Sequence, residues 1–459
     1  MKIKNITYMA GIFTAAFTLS ACEDALEVSP PVNQISSAQV FESVSTADAA
    51  LSNLYAEFQA YSLLSGGAGG AGALLGTYTD ELYSYGINTQ NAEYDLYNNT
   101  QIATNTRIKS VWTNAYKEIY MANVIINGVK VSAGITEDDQ RRIHGEALFL
   151  RSLVYYYLTS IFGDIPYTVS TDYSVNQSLA KTEEAEVLMK IENDLQQAAL
   201  MLNDSYRNNE RIYANRKTAE LILATVMMKR SKWQEAEALL RGIVQNPVYV
   251  WQPDLTKTFK TTGKHILWQL KPLKANDATP EALLFYFITA VPNTYTLSDN
   301  LFASFTSNDL RRQAWIKPLL INQKTYYRAD KYQKTVNNTD EYSIVVRLEE
   351  AYLLLAENLA QQNKISEALP FLNAVKQKAG LAPLPDTLTK QELVTEIIDE
   401  SCKEFFTEKG MRFLTLKRNG RLNSLIPYKT NWQPFHQNWP LPASELLVNP
   451  RLKPQNDGY

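Results

Sequence analysis

The sequence predicts a mainly α-helical chain, a scaffold of tetratricopeptide-like helical hairpins carrying one long, irregular, loop-rich excursion with a few short strands. Three observations predict it. Apolar residues recur at helical spacing through most of the first half of the chain and again after residue 345. One stretch of sequence returns at an offset of 132 residues. Between the two copies, residues 248–345 are rich in Tyr, Thr, Asn, Pro and Trp with little helical period.

The elements follow in order. Lys2 and Lys4 precede an apolar run from Ile6 to Phe17, and small residues follow it, which is the layout of a secretory signal. The run is too short and too interrupted for a transmembrane helix, and no other segment is long and apolar enough, so the mature chain is not expected to span a membrane. The signal ends in Leu19-Ser20-Ala21-Cys22, which resembles the bacterial lipobox. Residues 1–21 then form a lipoprotein signal peptide, and Cys22 is the lipidated first residue of the mature chain. Such an anchor works because each buried methylene contributes about 0.8 kcal/mol, and stable attachment takes more than one acyl chain. The segment to about Pro31 reads as a polar tether.

From Thr46 to Leu64 a helix places Ala50, Leu51, Leu54, Tyr55 and Phe58 on one face, with Ser45 or Thr46 as its cap. Next comes "SGGAGGAG", which contains G-x-G-x-x-G at Gly67, Gly69 and Gly72. A dinucleotide-binding turn would need a strand before it; here a helix precedes it, so the stretch reads as a flexible loop. Helices are expected over Asn105–Val131, Asp138–Phe162 and Glu183–Leu202. The repeat comes next. Ala224 to Ala236 ("ATVMMKRSKWQEA") matches Ala356 to Ala368 ("AENLAQQNKISEA"), and the match extends to Leu221 with Leu353, Leu240 with Leu372, and Ile243 with Val375. Small alanines allow two antiparallel helices to approach, and the Lys-containing segment between them is a tight turn. Such hairpins bury their faces only by stacking, so 106–131 should pair with 139–162 and 183–203 with 216–231. The strand patterns are "KHILWQL", "EYSIVVRL" and the C-terminal "NWPLPASELLVNPRLKPQNDGY". Residues 22–459 thus form a single domain: scaffold at about 40–245 and 345–420, a loop-rich binding part at about 246–344, and a C-terminal segment at 421–459.

Composition removes several function classes. Forty-five basic and 48 acidic side chains nearly balance, without a strongly basic stretch, so a nucleic-acid partner is not expected. Cys22 and Cys402 make no disulfide framework. His144, His265 and His436 lie far apart, and neither His-Glu-x-x-His nor Cys-x-x-Cys occurs, so neither metal nor cofactor is expected. Cys402 sits in a helical pattern as a small hydrophobe.

Specific motifs then carry a resemblance. They are "GEALFLRSLVYYYLTSIFGDIPY" from Gly145, "IVVRLEEAYLLLAE" from Ile344, "LNAVKQKAGL" from Leu372, "EFFTEKGMRFLTLKRNG" from Glu404, and the C-terminal "NWPLPASELLVNPRLKPQNDGY". In this order they resemble the signature segments of the SusD/RagB family, and Glu23-Asp24 after the lipobox resembles the surface-export signal of Bacteroidetes lipoproteins. Two departures are Thr415-Leu416, where the family commonly has Asp-Leu, and Asp457 before the terminal Gly458-Tyr459. The resemblance implies a SusD-like fold and an outer-membrane, cell-surface lipoprotein. It would capture an oligosaccharide, or in some members a peptide, and deliver it to a SusC-like TonB-dependent transporter without catalysis.

The motif charges read as scaffold. Glu146, Arg151 and Asp164 are spaced to bond between helices, Gly163 and Pro166 stop a helix, and Glu404, Arg412, Lys417 and Arg418 read as an ion-pair network. Asp309-Leu310-Arg311 also reads as scaffold. Ligand binding is placed in two aromatic stretches where amides interleave, since flat rings supply contact area for the C–H faces of sugars. Tyr78–Asn99 supplies Tyr83, Tyr85, Asn88, Asn91, Tyr94 and Tyr97; Tyr295–Tyr327 supplies Tyr295, Trp315 and Tyr327, with Phe302 and Tyr326 nearby. The rival readings are a peptide binder of the same family, a glycoside hydrolase using carboxylates such as Asp80 and Glu81, and a purely structural surface protein.

Overall fold

The computed structural model describes residues 37–85 and 92–459. Cys22, Asn88 and Asn91 lie outside the described residues. In chain order the main elements are α1 (Val44–Tyr61), α2 (Ala71–Tyr78), β1 (Leu82–Ser84), α3 (Ala92–Asn98), α4 (Thr106–Lys130), α5 (Glu137–Phe162), α6 (Glu184–Met201), α7 (Arg216–Lys229) and α8 (Trp233–Val244). Then come β2 (Ile266–Leu270), β3 (Tyr295–Leu297), β4 (Ile316–Ile321), β5 (Lys324–Ala329), β6 (Ser343–Arg347), α9 (Leu348–Gln361), α10 (Ile365–Lys378), α11 (Lys390–Phe405) and α12 (Met411–Arg418). Among the described residues no helix is long and apolar enough to cross a membrane.

The helices stack as the repeat requires: α4 on α5, α5 on α6, α6 on α7, α7 on α8, α8 on α9 and α9 on α10. The two repeat units adopt the same turn. Ser231 and Asn363, 132 positions apart, both take a left-handed backbone, with φ of 59° and 62°. The lysine that follows each one reaches back to a glutamate of the helix before its hairpin, Lys232 to Glu192 on α6 and Lys364 to Glu237 on α8, at 2.6 Å in both cases. Because α8 packs directly on α9, the intervening excursion leaves and re-enters at one point. β2 and β6 pair antiparallel there and close its neck.

Several expectations need correcting. The cap of α1 lies at Ser43, where the backbone is still extended (φ −142°, ψ 155°), rather than at Ser45 or Thr46. The glycine stretch is packed rather than loose: a methyl group added at Gly72 would collide with the Thr407 carbonyl. The C-terminal strand pattern forms a short helix, Ala443–Val448, and 3-10 turns instead. Pro440, Pro442, Pro450 and Pro454 lack the N–H groups a ladder needs.

The motif charges are buried as expected. Gly163 ends α5 at φ 76°. Arg151 pairs with Asp194 at 2.6 Å, and the Glu146 carboxyl accepts from the Tyr55 hydroxyl at 2.9 Å. The largest network joins excursion to scaffold. Arg311 meets Asp309 at 2.7 Å and Glu404 at 3.0 Å; Arg347 meets Glu404 at 2.6 Å and Glu408 at 3.0 Å; Lys331 meets Glu408 at 2.6 Å. Arg418 pairs with Glu357 at 2.5 Å and Arg412 with Asp80. Lys417 departs from that reading: its ammonium donates to Ser160 O, Gln437 O and Asn438 Oδ1 and meets no carboxylate, and burial pushes it down to about 7. Cys402 is buried, and burial pushes its thiol up to about 12.

Candidate functional site

The excursion and the segment after α2 together build a four-stranded sheet in the order β1-β3-β5-β4. β1 pairs with β3 through Leu82–Leu297, Tyr83–Thr296 and Ser84–Tyr295, and Leu297 faces Tyr327 of β5. Side chains alternate across a strand, so this register sorts the aromatics by face. Leu82, Tyr295, Leu297, Ile316 and Ala329 point into the core of the excursion. Tyr83 and Tyr85 point the other way. Tyr85 meets Tyr326 edge-on at 5.7 Å, and Lys324 lies over both rings at 5.5 and 5.0 Å.

Helix α3 brings two more rings to this outer face. Its start is tied by Asn105, which donates to Ala92 O at 3.0 Å, and by the ion pair of Glu93 with Arg107. Its end is tied by Lys429. That ammonium donates to Tyr97 O and to Thr77 O (2.8 Å) and lies 4.4 Å from the centre of the Tyr97 ring. Burial pushes Lys429 down to about 7, against the opposing pull of Asp80. Tyr94 and Tyr97 are half-buried. Burial raises the Tyr97 hydroxyl above its ordinary range, and Tyr83, Tyr85 and Tyr94 raise it further, which places the four hydroxyls in one neighbourhood. The Tyr83 hydroxyl donates to Asp299 at 3.4 Å, and burial followed by Asp299 raises it as well.

A groove runs from these rings. Tyr83, Tyr97, Asn98, Asn300 and Tyr428 line a cleft of about 130 Å³. Through Asp80, Asn300 and Tyr428 it continues into one of about 320 Å³ that ends at Arg412 and Glu81. Half-exposed rings beside amides and hydroxyls can take an extended ligand that is apolar on its faces and polar at its edges.

The ring and amide positions singled out in the sequence therefore separate. Tyr83 and Tyr97 line the groove, and Tyr85 and Tyr94 lie on the same outer face. Trp315 is a correction: it is 1% exposed, packs edge-on against Phe259 at 5.4 Å, and donates its indole N–H to Leu255 O at 3.0 Å, so ring and donor are both used by the core. Tyr295 is a second, turned inward by strand alternation and 6% exposed. Tyr327 lies on the opposite face from Tyr83, stacked on Phe302 at 3.8 Å. Asn88 lies outside the described residues. Sequence reasoning missed Tyr428, Asn300 and Lys429, which have no local pattern to mark them. The Asp80–Arg412 pair joins positions more than three hundred residues apart in the chain.

The comparisons with known proteins agree with this architecture. Residues 25–228 match the SusD-like family described as starch-binding and associating with the outer membrane. SusD-like protein P2 of Formosa agariphila is 26% identical over the full length of both chains. The structure of a SusD superfamily protein from Bacteroides vulgatus superposes with a TM-score of 0.79 at 19% identity, covering 91% of this chain and all of that one. A laminarin-binding SusD-like protein superposes at 0.77 and 20% identity, with 91% and 100% covered. Family model, full-length relative and fold agree with the ordered sequence motifs, and the chain is similar to SusD-like proteins along its whole length.

Proposed function

We propose that this chain is a cell-surface lipoprotein that captures an oligosaccharide on the outer tyrosine face and delivers it, chemically unchanged, to a SusC-like TonB-dependent transporter of the outer membrane. The observation that carries the reading is the convergence of the half-exposed Tyr83, Tyr85, Tyr94 and Tyr97 on one face beside Asn98, Asn300 and Tyr428, with the buried Tyr326 backing Tyr85. Flat rings with polar tips match the alternation of C–H faces and hydroxyl edges along a glycan. The laminarin-binding relative supports a β-glucan as the first cargo class to try.

The state of two nearby acids supports binding without turnover. Glycoside hydrolysis needs one carboxyl to donate a proton and a second to act as base or nucleophile. Asp80 is engaged by two nitrogens of Arg412. Glu81, at the far end of the groove, is 2% exposed, and burial pushes it up to about 8. Attachment rests on Cys22, and Cys22→Ser should move the protein out of the membrane fraction; retention there would remove the anchor from the reading.

A glycan array that includes laminarin oligosaccharides, with an oligopeptide library beside it, tests the cargo. Binding to a glycan with no product after prolonged incubation is expected. Binding to peptides alone, or release of shorter sugars, would overturn it.

A further inference from the structure

A second cavity, of about 220 Å³, lies between α1, the glycine stretch after it, α4 and α5, apart from the tyrosine face. One stripe of α4 faces it: Arg107, Ser110, Asn114 and Glu118, spaced at three and four residues. A helix packed into a protein ordinarily presents apolar residues there. The opposite wall is Gly67, Ala68 and Gly69, the motif that the dinucleotide reading left without a role. Phe58, Leu63 and Leu153 supply an apolar side.

Glu118 is the unusual member. It is 3% exposed, and its Oε1 is buried without a hydrogen-bond partner. Burial raises its carboxyl well above the ordinary range, and Glu57 adds to the effect. A buried polar atom left unpaired costs on the order of 1–3 kcal/mol. That cost is recovered when a ligand supplies the missing bond.

The chemistry of the lining narrows the ligand. An anion finds little, because the Arg107 guanidinium at one end is paired with Glu93. A cation finds no more, since the paired guanidinium and its carboxylate leave no net charge at that end. A wholly apolar molecule would leave Glu118 Oε1 unpaired and cover the polar atoms of Ser110 and Asn114. The volume falls below the roughly 300–1,000 Å³ of a drug-sized site, so the occupant is a single ring rather than a chain. We propose that this cavity is a second, separate binding site for one neutral polyhydroxylated ring, a monosaccharide, held between the glycine stretch and the polar stripe of α4.

The site rests on this cavity alone, so its failure and the failure of the tyrosine-face reading are distinguishable. The probes are D-glucose and D-galactose, measured by saturation-transfer NMR on the full mature chain. One of them should bind in the millimolar range to wild type and equally to Tyr85→Ala. Ser110→Phe, which fills the half-exposed mouth, and Glu118→Leu should each weaken binding at least about tenfold, whereas Glu118→Gln should stay within about threefold. A wild-type crystal soaked in the binding sugar should show the ring beside Glu118, a readout independent of how any variant folds. Absence of binding, density for water alone, a sugar lost in Tyr85→Ala but kept in Ser110→Phe, or Glu118→Leu binding as wild type would each overturn the proposal.

Discussion

Two stretches of this chain, 78–99 and 295–327, look alike as sequence: tyrosines and other rings interleaved with amides. The structure uses them differently. The first delivers Tyr83, Tyr85, Tyr94 and Tyr97 to a half-exposed surface. The second spends Tyr295 and Trp315 on the core, turns Tyr327 to the opposite face, and buries Tyr326 against Tyr85. Position in the sheet makes the difference. β1 is an edge strand with only β3 beside it, so its outward rings meet the small helix α3 and solvent. β3 lies inside the sheet, and all three of its residues are buried. Ring content marked both stretches as candidates; strand parity and edge position separate recognition from packing.

Substitutions can break or sharpen that contrast. Trp315→Ala should have the largest effect, costing about 3–5 kcal/mol of stability in chemical denaturation, while the fraction that remains folded binds glycan normally. Lost binding in a fully stable variant would put Trp315 back in the site. Arg347→Met should cost a comparable amount, about 3–5 kcal/mol, because it removes one of the two cations that hold each of the buried carboxylates Glu404 and Glu408. Tyr83→Ala and Tyr85→Ala reverse the pattern: each should weaken glycan binding about tenfold in a calorimetric titration, about 1.4 kcal/mol, and leave the denaturation midpoint nearly unchanged.

A smaller effect is expected with pH. Lys429 titrates near 10.5 when unfolded and is pushed down to about 7 when folded. Between those values the unfolded chain binds more protons, so this lysine makes stability rise with pH across that window. Lys417 acts in the same direction. Lys429→Met should flatten the rise, and an unchanged slope would show that the lysine beneath Tyr97 is not desolvated. The smallest effect belongs to Tyr327→Ala, which should leave glycan affinity as it is.

What the sequence made legible follows from the range of the forces involved. The hairpin repeat was readable because helices and tight turns are local, and a matched spacing at Ala224 and Ala356 carries through to the same left-handed turn at Ser231 and Asn363. β2 and β6 were readable as runs of apolar residues buried on both faces. The outer sheet was not. β1 spans three residues, too few to show alternation, and its register is set by Leu297, far along the chain. α3 is only seven residues long and is fixed from outside, by Asn105, Arg107 and Lys429. The C-terminal pattern misled because its spacing suits a strand while its prolines cannot join a ladder.

The account depends on sugar being held by the outer face of the β1-β3-β5-β4 sheet. The most direct test is calorimetric titration of the best glycan from the array against wild type, Tyr83→Ala/Tyr85→Ala and Tyr327→Ala. The account predicts binding that collapses in the double variant and persists in Tyr327→Ala, with all three equally stable. Binding retained by a folded double variant would contradict it.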